Sequence, residues 1–315
     1  MDRHVMRLNN TKNIVLIGFA VWCAGSLASC KKEVETVPDN QAPYYDGVPT
    51  VVVRNYVNRL FIDLIGREPL DAEMDAAVAD LEANGLSRSA REVLVDRLMT
   101  STDFVAGDSS YKHAYYQRQY DLYKARCLEG VSDDVIDQFI GIAEQNALAD
   151  SLAGNTAGSQ QASSEADQLR DLKAARIEYR EGLIGINEVF ARVVYNNVYD
   201  EINMGSFNFV NATFDNLLFR FPTTAEFDAG YEMVEFSQAA ILFGQSGQSK
   251  SDYTDIVVSS AEFHEGMVRW CYVTFLGRQP STFEVYTLLS PFINDKDLQR
   301  VQRTILTSDE YANFQ

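Results

Sequence analysis

A single pattern recurs three times in this chain, and it restricts the folds that the chain can adopt. In every copy an aromatic residue stands six positions before an arginine, a proline two positions after that arginine, and a glutamate four positions after the proline. The copies span residues 61–73, 214–226 and 272–284. A pattern that returns with fixed internal spacing indicates one supersecondary unit that is used repeatedly. The repeated residues are Arg67, Pro69, Glu73, Arg220, Pro222, Glu226, Arg278, Pro280 and Glu284.

The residues around each proline predict two helices joined by a tight turn. Before the first proline, Tyr56, Leu60 and Leu64 recur on one helical face. Proline cannot continue a helix, and it disfavours helical geometry in the residue before it, so this helix is expected to end near Gly66 and Arg67. The same reasoning applies to the other two copies.

A capping box predicts where the second helix of each copy begins. Thr223 and Ser281 stand three positions before the repeated glutamate, so that each hydroxyl and each glutamate can satisfy free amide groups of the first turn. The first copy has Leu70 at this position, and we expect Asp71 to serve as its cap instead. The arginine is then expected to hold carbonyl groups at the helix end or a nearby carboxylate. Use of these arginines to bind a ligand is the alternative, but a ligand site would need only one copy.

Each copy closes with a similar segment, a serine or threonine followed by an acidic and an aromatic residue, and this segment predicts a helix end and a new helix start. We therefore predict an all-α domain over residues 51–315 with three units, 51–104, 210–263 and 263–315. Each unit should read helix, tight turn, helix, loop, helix. Residues 105–209 should form a helical insertion between the first and second units.

The insertion contains a tyrosine-rich helix with two interpretations. Tyr116, Tyr120, Tyr123 and Cys127 are spaced for one helix face, and Tyr115 lies beside them. The rings could form an exposed contact surface for a sugar or a peptide, or they could pack in a seam between helices, which we favour. Further along, the small polar residues 151–164 predict a mobile loop and residues 187–204 a single helix. Residues 244–249 predict another flexible segment.

The first thirty residues resemble a bacterial lipoprotein signal. A basic start precedes an almost apolar run over residues 14–27, which is short for a membrane span, and the run ends Leu-Ala-Ser-Cys at Cys30. This resembles a lipobox and implies a signal peptide over residues 1–29 and a lipid on Cys30 that attaches the chain to the membrane. An uncleaved membrane anchor is the alternative. Residues 30–50 would form a flexible tether, and the charged residues after Cys30 are similar to surface-export signals of Bacteroidetes lipoproteins.

Charge excludes one class of partner. Cleavage before Cys30 would leave 24 basic and 44 acidic residues, a net charge of −20. A chain this acidic is repelled by phosphate backbones, so we expect no nucleic-acid partner.

The repeat resembles helical domains that have no established activity. The pattern Leu64, Gly66, Arg67, Pro69, followed by residues 94–98, Ser101 and Phe104, is similar to a domain that accompanies cytochromes in planctomycetes. Residues 276–280, Leu-Gly-Arg-Gln-Pro, also resemble repeats of phycobilisome linkers and surface-layer-associated proteins. The resemblance implies an envelope or surface context and a scaffolding or binding role, and it supplies no catalytic residue.

Motifs for catalysis are missing from the sequence. His113 and His264 do not stand in a zinc-protease pattern, and neither a nucleophile elbow nor a phosphate-binding loop is present. We therefore expect no catalytic residue, metal or cofactor. Cys127 and Cys271 could form a disulfide or remain as buried thiols. A hydrolase whose carboxylates are brought together only by the fold is a third, weaker hypothesis.

Two functions from different classes follow. The first is a non-enzymatic lipoprotein of the bacterial outer membrane, facing the periplasm or the cell surface, that acts as a scaffold or accessory subunit with an envelope protein partner. The second is a surface lipoprotein that binds glycan or peptide through Tyr115, Tyr116, Tyr120 and Tyr123.

Overall fold

Helices form almost all of the described chain, and the predicted all-α class is confirmed. A computed structural model describes residues 47–314. The predicted signal peptide, Cys30 and the tether up to residue 46 lie outside the described residues. No helix between residues 47 and 314 combines the length and apolar character that crossing a membrane requires.

The N-terminal part contains three helices and a short hairpin. These are α1 (Thr50–Leu64), α2 (Asp71–Ala83), α3 (Arg88–Thr100), β1 (Phe104–Val105) and β2 (Ser109–Ser110). Helix α1 buries the predicted face, including Tyr56, Leu60 and Leu64, and ends just before Gly66. Gly66 has φ +85°, a backbone conformation that glycine adopts without the steric cost of a side chain.

Two details of this part correct the sequence analysis. Asp71 is the first helical residue of α2 and not its cap, because Leu70 occupies the N-cap position. Glu73 caps the helix without a hydroxyl partner, since its Oε2 accepts the Leu70 N–H at 2.7 Å. The closing segment of the first copy does not start a helix at once. The hairpin intervenes, and Phe104 is 83% exposed, whereas the corresponding Phe263 and Tyr311 are buried.

After the β1–β2 hairpin the insertion is mainly helical, but two of its boundaries differ from the prediction. Its helices are α4 (Tyr111–Cys127), α5 (Asp133–Leu152), α6 (Thr156–Arg180), α7 (Ile186–Val194) and α8 (Asn197–Ile202). The mobile loop predicted for residues 151–164 is wrong, because only residues 153–155 separate α5 from α6. Asn155 caps α6 by accepting the Gly158 N–H at 3.1 Å. The single helix predicted for residues 187–204 is interrupted, because Asn196 caps a new helix through the Tyr199 N–H.

Helices α5 and α6 form a long antiparallel hairpin. At about 1.5 Å per residue, α5 is about 30 Å long. Small buried side chains, among them Ala143, Ala162 and Ala166, let the two helices approach closely. At the tip of the hairpin the side chains are exposed to solvent, and Leu152 is 82% exposed.

The C-terminal part contains the remaining helices and a second hairpin. These are α9 (Ser206–Thr213), a π-helical turn (Phe214–Leu218), α10 (Thr224–Phe236), β3 (Ala240–Leu242), β4 (Gln245–Gly247), α11 (Lys250–Ser259), α12 (Ala261–Leu276), α13 (Thr282–Asp295), α14 (Leu298–Leu306) and α15 (Asp309–Ala312). Of the flexible segment predicted at residues 244–249, residues 244–247 instead belong to the antiparallel β3–β4 hairpin, in which Leu242 pairs with Gln245.

The first and last helices of the described chain pack on each other. The Tyr56 hydroxyl donates to the Leu306 carbonyl at 3.2 Å. Arg59 donates to the carbonyl groups of Phe275 and Tyr311. These bonds join the N-terminal helix to the C-terminal helices. The buried apolar residues of all parts of the described chain form one hydrophobic core.

Helix α12 crosses the π-helical turn at Gly266. A Cβ atom on Gly266 would lie far inside the contact distance of the Leu217 carbonyl oxygen, which is a backbone atom and cannot rotate away. Only glycine therefore permits this crossing. π-Helical turns are rare insertions in α-helices, and this one ends at Phe219, whose φ is +58°.

Candidate functional site

The repeated arginines of the sequence pattern lie in three polar clusters, one at each tight turn. In the first, the Arg67 guanidinium donates from Nη1 and Nη2 to both carboxylate oxygens of Glu73, at 2.7 and 2.9 Å. Its Nε donates to Asp108 at 2.7 Å, and Nη1 also donates to the Glu68 carbonyl at 2.9 Å. Every nitrogen of the side chain is thus used within the protein. We call this group the Arg67 cluster.

The other two clusters repeat this geometry. Arg220 binds Glu226 through two bonds of 2.8 and 2.6 Å and also pairs with Glu262. Arg278 binds Glu284 through two bonds of 3.0 and 2.6 Å and also pairs with Glu310. In each case the arginine also donates to the carbonyl of the next residue. The second acidic partners Glu262 and Glu310 belong to the closing segments of their copies, whereas Asp108 lies in the turn of the β1–β2 hairpin.

The aromatic residue of the pattern has a place in each cluster. The guanidinium carbon of Arg67 lies 5.6 Å from the centre of the Phe61 ring. The corresponding distances are 5.1 Å for Arg220 on Phe214 and 5.2 Å for Arg278 on Tyr272. A cation within about 6 Å of an aromatic ring centre is attracted by the electrons of the ring face. The spacing of six residues thus brings each ring next to its own arginine.

The residue before each arginine has a left-handed backbone. Gly66 and Gly277 have φ values of +85° and +67°, and Phe219 takes the same position in the second cluster with +58°. Phenylalanine pays a steric cost in this region that glycine does not. The guanidinium carbon of Arg126 lies 3.8 Å from the centre of the Phe219 ring, and this contact offsets part of the steric cost. Arg126 also donates to the carbonyl of Asn216, the middle residue of the π-helical turn.

The ion pairs hold the cluster glutamates in the charged form. Burial alone would raise the pKa of Glu73, but bonds from Arg67, the Leu70 amide and the Tyr111 hydroxyl outweigh it and lower the pKa to about 2. Bonds from Arg220 and Arg278 lower the pKa values of Glu226 and Glu284 to about 2 as well. Groups that are fixed as ions at neutral pH suit a structural role better than proton transfer.

The tyrosine-rich helix α4 is a packed seam. Tyr115, Tyr120 and Tyr123 are at most 1% exposed. The Tyr115 hydroxyl donates to the Gln302 side chain on α14 at 2.6 Å. The interpretation of these three rings as a ligand-contact surface is therefore wrong, because α6, α7 and α14 cover them. Tyr116 is partly buried and packs edge-on against Tyr179 at 5.2 Å.

Histidine and cysteine side chains often serve as metal ligands or nucleophiles, and the described chain has two of each. Between residues 47 and 314, no three histidine, cysteine or acidic side chains are arranged to hold a metal ion. His264 is buried, its Nδ1 lies 2.8 Å from the Ser260 carbonyl oxygen, and burial lowers its pKa. Cys127 and Cys271 are free, buried thiols. Burial raises the pKa of the Cys127 thiol to about 12 and raises that of Cys271, so neither is a ready nucleophile.

A groove of about 340 Å³ opens between α2 and α3. Asp80 and Arg97 lie at its edge, with 3.7 Å between Oδ2 and Nη1. Asp80 is the single carboxylate among its lining residues, so the groove lacks the pair of carboxylates that the hydrolase hypothesis needs. The lining residues are Ala77, Asp80, Leu81, Asn84, Ser87, Ser89, Ala90, Val93, Leu94 and Arg97.

A row of aromatic rings on α9 and α10 lies at the surface, and the sequence analysis missed it. Phe207 contacts Phe227 with 5.0 Å between ring centres, Phe227 stacks on Tyr231 at 5.6 Å, and Tyr231 meets Phe236 edge-on at 5.6 Å. Phe207 and Phe236 are 62% and 54% exposed. The spacing of Phe227 and Tyr231, four residues apart on a helix, was the available signal. We call these four residues, Phe207 of α9 together with Phe227, Tyr231 and Phe236 of α10, the aromatic face of α10.

Comparison of the chain with protein-family models, with curated proteins and with solved structures found no match.

Proposed function

We propose that this chain is a non-enzymatic lipoprotein of the bacterial outer membrane, lipidated at Cys30, whose helical domain acts as a scaffold or accessory subunit of an envelope complex. The observation that supports this proposal is that the three repeated arginines bind groups of the chain itself. Arg67, Arg220 and Arg278 are the residues that the sequence offers most plainly for binding a ligand. All three are occupied by carboxylates and carbonyl groups of their own turns.

The same clusters support a finer proposal about architecture. We propose that the three stretches are copies of one unit, because each tight turn has an arginine–glutamate ion pair, an aromatic ring next to the arginine and a left-handed residue before it. A domain that uses this turn three times is held at each turn by an ion pair between its own side chains. Such a shape is suited to holding other proteins in position.

The surface of the domain is compatible with a protein partner. Large apolar side chains are exposed at several places on the described chain, including Phe207, Phe236, Phe283 and Tyr286. Exposed apolar residues that lie together mark interaction sites more often than residues that lie singly. The acidic charge of the chain argues against binding to nucleic acid.

The test begins with the lipid. Wild-type protein with a C-terminal tag should incorporate labelled palmitate and remain in the membrane fraction, whereas Cys30→Ala should do neither. If the wild-type chain takes up no lipid and is found in the soluble fraction, the lipoprotein proposal is wrong.

A second experiment addresses the scaffold role. Affinity purification from detergent-solubilised native membranes should recover an envelope protein in fixed proportion, and protease treatment of intact cells reports which side of the membrane the domain faces. A domain that is recovered alone, under conditions that preserve known envelope complexes, would contradict the role as an accessory subunit.

A further inference from the structure

The aromatic face of α10 lies beside three acidic side chains, Asp228, Glu232 and Glu235. At about 100° per residue, successive positions around the helix can be ordered from the sequence. From one edge of the exposed side to the other, the order is Phe227, Tyr231, Glu235, Asp228, Glu232 and Phe236. The three acidic positions thus lie between those of Tyr231 and Phe236 around the helix, and the rings of Tyr231 and Phe236 meet edge-on with 5.6 Å between their centres. The opposite side of the helix is buried through Gly230 and Met233.

These carboxylates have no partner within the described chain. Between residues 47 and 314, Asp228, Glu232 and Glu235 take part in no ion pair. Along the sequence, residues 193–249 contain seven acidic residues and one basic residue, Arg220. The basic residues on either side of this stretch, Arg192 and Lys250, already pair with other carboxylates. Arg220 is already bound by Glu226 and Glu262.

The position of the acidic residues on the helix is electrostatically unfavourable. The C-terminal end of a helix carries partial negative charge and is stabilised by cations. Helix α10 has no basic residue in its last turn, and Glu235 lies in that turn with Glu232 just before it. A positive group bound at this end would relieve the repulsion between the carboxylates and the helix end.

We propose that the aromatic face of α10 docks a basic segment of a protein partner, whose arginine or lysine side chains lie over the rings and pair with the carboxylates. Aromatic rings attract cations through their faces, and carboxylates beside them add charge complementarity. A symmetric contact with a second copy of this chain does not suit the face, because it would bring the same carboxylates against each other. This inference rests on the proposed scaffold function and names where the partner binds.

A defined peptide tests the chemistry of the face. The probe is a short synthetic peptide in which arginine alternates with leucine, and its control has citrulline, which is uncharged and nearly the same shape, in place of every arginine. We expect the arginine peptide to bind the full chain and the citrulline peptide to bind far more weakly. The double variant Glu232→Gln, Glu235→Gln should weaken the binding of the arginine peptide about fivefold or more.

A matched variant separates this face from the overall negative field. Glu129→Gln with Asp103→Asn makes the same change in net charge at exposed acidic residues that form no ion pair and lie outside α9 and α10. It should leave the affinity for the arginine peptide nearly unchanged. An equal loss in both double variants would overturn the proposal, as would equal binding of the citrulline peptide. Binding of a neutral chitin oligosaccharide at this face, with no binding of the arginine peptide, would also overturn it in favour of a glycan.

The native complex supplies the second arm of the test. The tagged Glu232→Gln, Glu235→Gln variant should keep its membrane location and thermal unfolding temperature but lose the partner that the wild type recovers. If the variant keeps the partner, docking at this face is wrong while the scaffold function stands. If the wild type recovers no partner, the scaffold function fails, and the peptide titration alone decides what the face can bind.

Discussion

Replacing Arg67 by alanine is the most direct test of the structural role assigned to the three clusters. The change removes two bonds to Glu73, one to Asp108 and one to the Glu68 carbonyl. It leaves two carboxylates that are only 12% and 18% exposed without their positive partner. Hydrogen bonds to charged groups contribute about 1.5–3 kcal/mol each in net terms, and those near the surface fall at or below the low end of this range.

We expect Arg67→Ala to lower the free energy of unfolding by about 3 kcal/mol. This value is below the sum of the separate bonds, because the bonds share one side chain and are not additive. For a domain of this size, a loss of about 3 kcal/mol corresponds to a fall of about 6–12 °C in the unfolding temperature. The assay is urea denaturation of the purified chain, followed by circular dichroism, with a thermal scan in parallel.

Two variants make the result interpretable. Arg54→Ala removes a single bond to Asp75 between side chains that are 46% and 72% exposed, and should cost less than about 0.5 kcal/mol. Arg67→Lys keeps the positive charge but cannot form the paired bonds to Glu73, so it should fall between the alanine variant and the wild type. If Arg67→Ala costs no more than Arg54→Ala, the cluster does not stabilise the turn and the reasoning above is refuted.

Three further outcomes can be checked on the same purified chain. Because folding lowers the pKa values of the three cluster glutamates from 4.5 to about 2, the stability that they provide should be fully present above about pH 4.5 and lost as the pH falls toward 2. The urea midpoint measured from pH 7 to pH 3 should fall accordingly, and less steeply in Glu284→Gln. Gly266→Ala should cost about 3 kcal/mol or more, because its new Cβ meets the Leu217 carbonyl, and a near-wild-type unfolding temperature would contradict the crossing. Cys127 and Cys271 should react with a thiol reagent only in denaturant, and rapid labelling of the native chain would show that they are not buried.

The helical part of the fold was predictable because its signals are local. Proline and the left-handed residue before each arginine end one helix, and a glutamate three positions into the next begins another. The structure has these boundaries at Gly66 and Gly277 with little displacement. The sequence predicted helix boundaries wrongly where small polar residues are frequent. The sequence of residues 151–164 suits a loop by composition, but alanine-rich packing between α5 and α6 favours helices there.

Surface and core were harder to tell apart, since burial depends on which helices cover a residue. The spacing of tyrosines on α4 was consistent with either an exposed stripe or a seam, and α14 decided the outcome from almost two hundred residues away: Tyr115 and Gln302 are 187 positions apart. The same limit hid the aromatic face of α10. Phe227 and Tyr231 could equally have been core residues, and no local signal places Phe207 of another helix beside them.

The α5–α6 hairpin offers a practical handle on this protein. Its tip, residues 153–155, is exposed, and the two chain ends that it joins are adjacent in space. Exposed loop tips whose ends lie close together tolerate inserted domains better than other positions. A fluorescent or affinity domain inserted after Gly154 would lie roughly a helix length, about 30 Å, from the packed seam of α4. It would leave both termini unmodified, so the chain could be followed in living cells without altering the N-terminal residues that carry the proposed lipidation signal.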